Sequence, residues 1–203
     1  MKNLSKRIAL LLAGLLIIGN MVGLFIFLDL GIDPITAMNY GIAMRTGLSL
    51  GVVTILVQVF IFVPMVFARR DLIGIGTLIA LLGIGYIIEY SALMWGAVIT
   101  LEFSLAVRIL LLFLGMNVVG IAVSLMIIAN LGLTAYDGFG FAVEKLTANR
   151  VSFRTARVTT DVLFVLAGFL LGAPIGIATL LTMVCVGPIV NYYKDRVTRF
   201  IRI

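Results

Sequence analysis

The chain has 203 residues, 63% of them hydrophobic and 12% charged. That leaves too little polar material to cover a soluble domain of this size, and a mean hydropathy of +1.24 points to the lipid bilayer instead. The net charge of +6 does not form a stripe suited to nucleic acid, because the Lys and Arg stand at the ends of apolar runs.

A hydrocarbon core about 30 Å thick needs roughly 20 apolar residues per helix, so the chain has room for about six spans. The first run, Ile8 to Leu30, follows Lys2, Lys6 and Arg7. It is too long for a signal peptide, and Gly19-Asn20-Met21-Val22-Gly23 is no small-residue cleavage site. Further spans are expected at about 50–68, 73–93, 108–129, 153–171 and 175–193. Lys194 to Arg202 alternates basic and apolar residues at helical spacing and predicts a short amphipathic helix, with Lys194, Arg196, Arg199 and Arg202 toward anionic headgroups.

The second half repeats the first. At a shift of 101, Arg7, Gly14 and Gly19 fall on Arg108, Gly115 and Gly120, and Leu30-Gly31 falls on Leu131-Gly132. At 103, Ser49 meets Ser152; at 102, Ile73-Gly74-Ile75 meets Ile175-Gly176-Ile177, Gly85 meets Gly187 and Tyr90 meets Tyr192. Collinear matches across three spans read as a duplication: repeat 1 over 1–95, a connection over 96–107, repeat 2 over 108–193 and a tail over 194–203. The fold class is thus all-α and polytopic, with two three-helix repeats. Three spans is an odd number, so the second repeat is expected upside down relative to the first. With both termini cytoplasmic, only Arg45 and Arg108 of the basic residues fall outside.

A short capped helix follows the first span of each repeat, over 34–45 and 135–146. Asp33 caps the first with Pro34 in the first turn, and Gly47 stops it. Thr134 begins a capping-box pattern with Asp137, Asn149 is the stop, and Ser49 and Ser152 cap the spans that follow. Twelve residues at 1.5 Å each reach about 18 Å, too short to cross. This argues against eight spans, a count that charge alone leaves open. Such helices either lie at the interface or re-enter the membrane and line a central path.

LGIDPITAMNYGIAMRTGLSLGVVTIL, LGLTAYDGFGFAVEKLTANRVSFRTARV and IGIATLL resemble the YczE/YitT group of bacterial integral membrane proteins over most of the chain. The shared motifs are G-x-x-P before a short helix, R-T-G-x-S-x-G after it, and I-G-x-x-T-L opening the next span. The second copy departs from them at Ala135 and at Leu146-Thr147-Ala148-Asn149. The resemblance implies a multi-span fold in a bacterial cytoplasmic membrane and no particular substrate.

Charged groups inside spans are costly and point to function. Asp161 lies about two turns into the fifth span, one turn after Arg157, and its counterpart is Gln58. Asp161, Gln58, Arg157, Asp137 and Thr36 form the candidate solute or proton-coupling site. The bland reading is an Asp161–Arg157 pair that only holds helices together. Glu89 is expected as a solvated end residue, and Asn20 and Asn117 as interhelical hydrogen bonds. An enzyme is not expected: there is no histidine and no nucleophile–base pair, and neither a cofactor nor a metal is implied. A small-solute transporter is therefore set against a membrane scaffold acting through Glu144 to Arg157 and the basic tail. The discriminating feature is whether Asp161 and Gln58 face a polar cavity.

Overall fold

A computed structural model describes residues 3–100 and 103–201. Lys2 and Arg202 lie outside the described residues. Eight α-helices make up the fold, with no strand among the described residues: α1 (Leu4–Leu28), α2 (Pro34–Thr46), α3 (Leu50–Ala68), α4 (Ile75–Val98), α5 (Leu105–Ala129), α6 (Ala135–Leu146), α7 (Phe153–Leu171) and α8 (Ile177–Ile201). A 3₁₀ turn over Arg70–Leu72 precedes α4.

Helices are what an apolar chain must form in lipid, where each backbone N–H and C=O needs a partner within its own segment. Five of them, α1, α3, α4, α5 and α8, are long and apolar enough to cross a membrane. The expected fifth span, α7, is not among these, because its 19 residues include Arg154, Arg157 and Asp161. Large apolar side chains face outward, Phe60 at 78% exposure and Phe67 at 74%, as lipid-facing surface requires. The chain is a multi-pass helical membrane protein.

The helix ends obey local chemistry. Asp33 accepts a hydrogen bond from the Thr36 N–H at 3.2 Å, Pro34 sits in the first turn, and Gly47 ends α2 at φ 72°. Thr134 takes the Asp137 N–H at 3.1 Å, while Ser49 and Ser152 cap α3 and α7. Asn149 is left-handed, at φ 63°, but stands beyond the end of α6, whose cap position is Thr147. The tail differs from expectation. The residues from Lys194 onward continue α8 without a break to Ile201, because nothing between Tyr193 and Ile201 breaks a helix.

α1 and α5 lie side by side and antiparallel, and their contacts come in matched pairs. Arg7 Nε donates to the Ala129 carbonyl at 2.7 Å, and Arg108 Nε donates to the Leu28 carbonyl at 2.6 Å. Each arginine thus satisfies the open carbonyl end of the other helix. Those ends carry left-handed residues, Asp29 and Asn130. Beyond them the chain folds onto the opposite half. The Ala178 N–H reaches the Leu30 carbonyl at 2.9 Å, and the Gly76 N–H reaches the Leu131 carbonyl at 2.8 Å. Gly31 (φ 97°) lies against Gly176 and Thr179, as Gly132 (φ 107°) lies against Gly74 and Thr77. At both glycines only a residue without Cβ combines positive φ with backbone contact this close.

α4 packs along α1, and α8 packs along α5. α2 lies on α7, where Gly41 meets Leu171 and Arg45 Nε donates to the Leu171 carbonyl at 3.1 Å. α6 lies on α3, where Ala142 joins Met65 and Ala68 in a buried cluster. The matching then fails. α3 packs closely on α4, whereas α7 makes no comparable packing on α8.

Candidate functional site

The site begins at the cap of α6. Thr134 turns the chain so that Tyr136 and Asp137 stand in the first turn, facing α7, where Arg157 and Asp161 lie one turn apart. Arg157 Nη1 reaches Asp137 Oδ1 at 3.1 Å and its Nε reaches Asp161 Oδ1 at 3.3 Å. The guanidinium carbon lies 3.8 Å from the centre of the Tyr136 ring, a cation–π contact in a poorly hydrated setting. The Tyr136 hydroxyl donates to the same Asp161 oxygen, and the ring stacks on Phe164 at 6.0 Å.

Exposure falls along this cluster. The Asp137 side chain is 50% exposed, that of Arg157 30% and that of Asp161 10%. Asp137 is further held by the Thr134 hydroxyl at 2.7 Å. Two carboxylates face one guanidinium, which does not deprotonate in proteins, so the ionised cluster carries a net negative charge. Asp161 Oδ2 has no hydrogen-bond partner among the described residues. It is the atom free to take a proton or a donor group.

Asp161, Arg157 and Asp137 thus come together in space, while among the described residues neither Gln58 nor Thr36 is hydrogen-bonded to them. Gln58 is buried in α3 and makes no hydrogen bond among the described residues. Thr36 is buried at the start of α2, where its N–H serves Asp33. Asp33 Oδ1 is buried without a partner, and its carboxylate lies within electrostatic reach of Arg157. The sequence reading missed Tyr136. Its adjacency to Asp137 was visible, but its bond to Asp161 spans 25 residues and exists only through helix packing. Glu89 also departs from expectation: instead of facing solvent it accepts the Gly51 N–H at 2.9 Å, at the open start of α3. Asn117 accepts the Tyr193 hydroxyl at 3.2 Å between α5 and α8, as expected.

A groove of about 710 Å³ runs between α3 and α7. Phe60, Ile61, Phe139 and Leu163 line it, with Thr155, Thr159 and Thr160 as its polar residues. Neither Asp161 nor Gln58 lines it, so this groove is not the polar cavity that a solute path would need.

The family model for a family of unknown function, DUF6198, matches residues 5–195. The chain belongs to the DUF6198 family. An uncharacterized protein of Haemophilus influenzae (strain ATCC 51907 / DSM 11121 / KW20 / Rd) is 25% identical over 194 residues, covering 96% of this chain and 86% of the relative. Uncharacterized protein YyaS of Bacillus subtilis (strain 168) is 25% identical over 188 residues, covering 92% and 91%. The resemblance to the YczE/YyaS/YitT group therefore holds at the level of the family. No solved structure matches.

Proposed function

We infer that this DUF6198 protein is a small-solute transporter of the bacterial cytoplasmic membrane, built from two inverted repeats that comprise six spans, with α7 as the sixth. The observation that carries this reading is the half-sealed Asp137–Arg157–Asp161–Tyr136 cluster at the start of a short helix. An ion pair in a membrane domain is costly, and it persists where it serves a path or a packing contact. The matched Arg7 and Arg108 caps and the crossed Gly31–Gly176 and Gly132–Gly74 contacts support the repeats. α2 and α6 are then re-entrant helices, and Asp161 is the group that exchanges a proton or engages the solute. Lys194, Arg196 and Arg199 on the exposed end of α8 suit anionic headgroups at the cytoplasmic face, where both termini lie.

The second reading is a scaffold that acts through Glu144 to Arg157 and the end of α8. The apolar lining of the α3–α7 groove favours it. Metabolites compared between cells with and without the protein would name a solute, and purified protein in liposomes would then be assayed for its flux. Asp161→Asn is expected to fold and insert but to abolish that flux. Wild-type flux in the variant removes Asp161 from the mechanism, and the absence of any solute difference favours the scaffold.

A further inference from the structure

The two halves match in which helices pack together, except at one seam. α3 is closed onto α4: the Gly51 N–H is bonded to Glu89, and a Cβ placed on Gly85 would stand 2.5 Å from the Thr54 Cβ. The corresponding seam is open. Gly187, the counterpart of Gly85, has no atom near where its Cβ would be. Buried Leu81 corresponds to half-buried Met183, and half-buried Glu89 to exposed Asn191. On the facing helix, buried Gly51 and Thr54 correspond to exposed Arg154 and half-buried Arg157. Arg157, which holds Asp161, thus stands at the position that Thr54 takes in the closed seam, and its side chain is 30% exposed.

We propose that the α7–α8 crevice is the open access route to the Asp137–Arg157–Asp161 cluster, and that the α3–α4 seam is the same route in its closed form. The protein works by exchanging the two: α7 closes onto Gly187 of α8 as α3 leaves Gly85 of α4. This rests on the inverted-repeat transport reading. In a chain with two such halves, each half can take the conformation of the other, and the exchange moves the access route from one membrane face to the opposite face. The reciprocal contacts of α1 with α5 are unchanged by the exchange and serve as its fixed axis. Gly85 is a point of close approach in the closed seam, and Gly187 takes that place in the exchanged form, where a bulky residue keeps the helices apart.

The test measures distances between spin labels in lipid nanodiscs, with cysteines placed in a Cys185→Ala background. Leu48 and Tyr90 report on the closed seam; their counterparts Val151 and Tyr192 report on the open one. In the wild type each pair should show two distances with opposite weights, the Val151/Tyr192 pair shortening toward packed helices about 8–10 Å apart between axes. Gly85→Val, which forces Thr54 away, should lengthen the first pair and shorten the second. Gly187→Trp fits the present open space, should fold normally, and should remove the short Val151/Tyr192 population. The proposal falls if Val151/Tyr192 keeps a single long distance in both the wild type and Gly85→Val, or in the wild type alone where Gly85→Val does not fold. It also falls if the short population survives Gly187→Trp. Opposed movement without solute flux leaves the exchange standing and removes transport; flux through a chain whose seams never move does the reverse.

Discussion

Gln58 on α3 and Asp161 on α7 hold corresponding places, yet their surroundings differ in kind. Around Gln58 the first half is sealed: α3 is seated on α4, with Glu89 serving the Gly51 N–H. Around Asp161 the second half is charged and partly open: Arg157 bridges two carboxylates and retains 30% exposure. One scaffold thus supports a neutral packed seam and a charged accessible one. A polar side chain at a given depth becomes a site only where neighbouring helices leave it a free atom and a way in.

The largest effect that breaks this comparison is expected at Arg157. Arg157→Ala leaves Asp161 unpaired and nearly buried, and should cost about 3 kcal/mol, the low end for a broken buried pair because Arg157 is part-exposed. Thr54→Ala, at the counterpart position, removes the hydroxyl that accepts from the buried Asn39 Nδ2 at 3.2 Å and should cost less, about 1–2 kcal/mol. Thermal unfolding in detergent, read by helical circular dichroism, ranks the two. Next come the glycines: Gly85→Ala should lose about 2 kcal/mol through overpacking, while Gly187→Ala should change stability by less than about 0.5 kcal/mol. Equal losses at both would mean that the two seams are packed alike.

Glu89→Ala should cost about 1 kcal/mol, with faster amide exchange at Gly51, while Asn191→Ala should change neither quantity. The smallest effect lies in the loops that lead into α4 and α8. Arg69 bonds to Asp71 at 2.8 Å and holds its carboxyl below the ordinary 3.8. A carboxylate whose pKa is depressed by folding stabilises fully above its unfolded value. The contribution is therefore present at neutral pH and is lost as pH falls below 3.8 toward the folded value. The 172–176 loop carries no charged residue, so only Asp71→Asn, and not a change at Ala173, should alter the acid limb of unfolding.

Part of the site was legible because it is local. Arg157 and Asp161 are four residues apart on one helix, and Thr134 caps the turn that carries Asp137. Tyr136 was not legible, since its aromatic face meets Arg157 only when α6 is seated beside α7. Glu89 misled for a similar reason. A carboxylate near a helix end reads as solvated until another helix start, that of α3, is found beside it. The continuity of α8 to Ile201 was not legible, because the basic residues after Tyr193 mark the end of a membrane segment and not of the helix that carries it.

The sequence by itself determined the membrane class and the caps at Asp33, Ser49, Thr134 and Ser152 with the helices they begin. Composition acts over the whole chain and capping over a few residues, and neither requires knowing which helices touch. Only the tertiary structure decided that Asp33 keeps a buried oxygen without a partner, that Gln58 is buried with no hydrogen bond among the described residues, and that α3 packs on α4 while α7 does not pack comparably on α8. The glycines on both seams permit close packing equally, so the choice between contact and gap lies in how whole helices are seated.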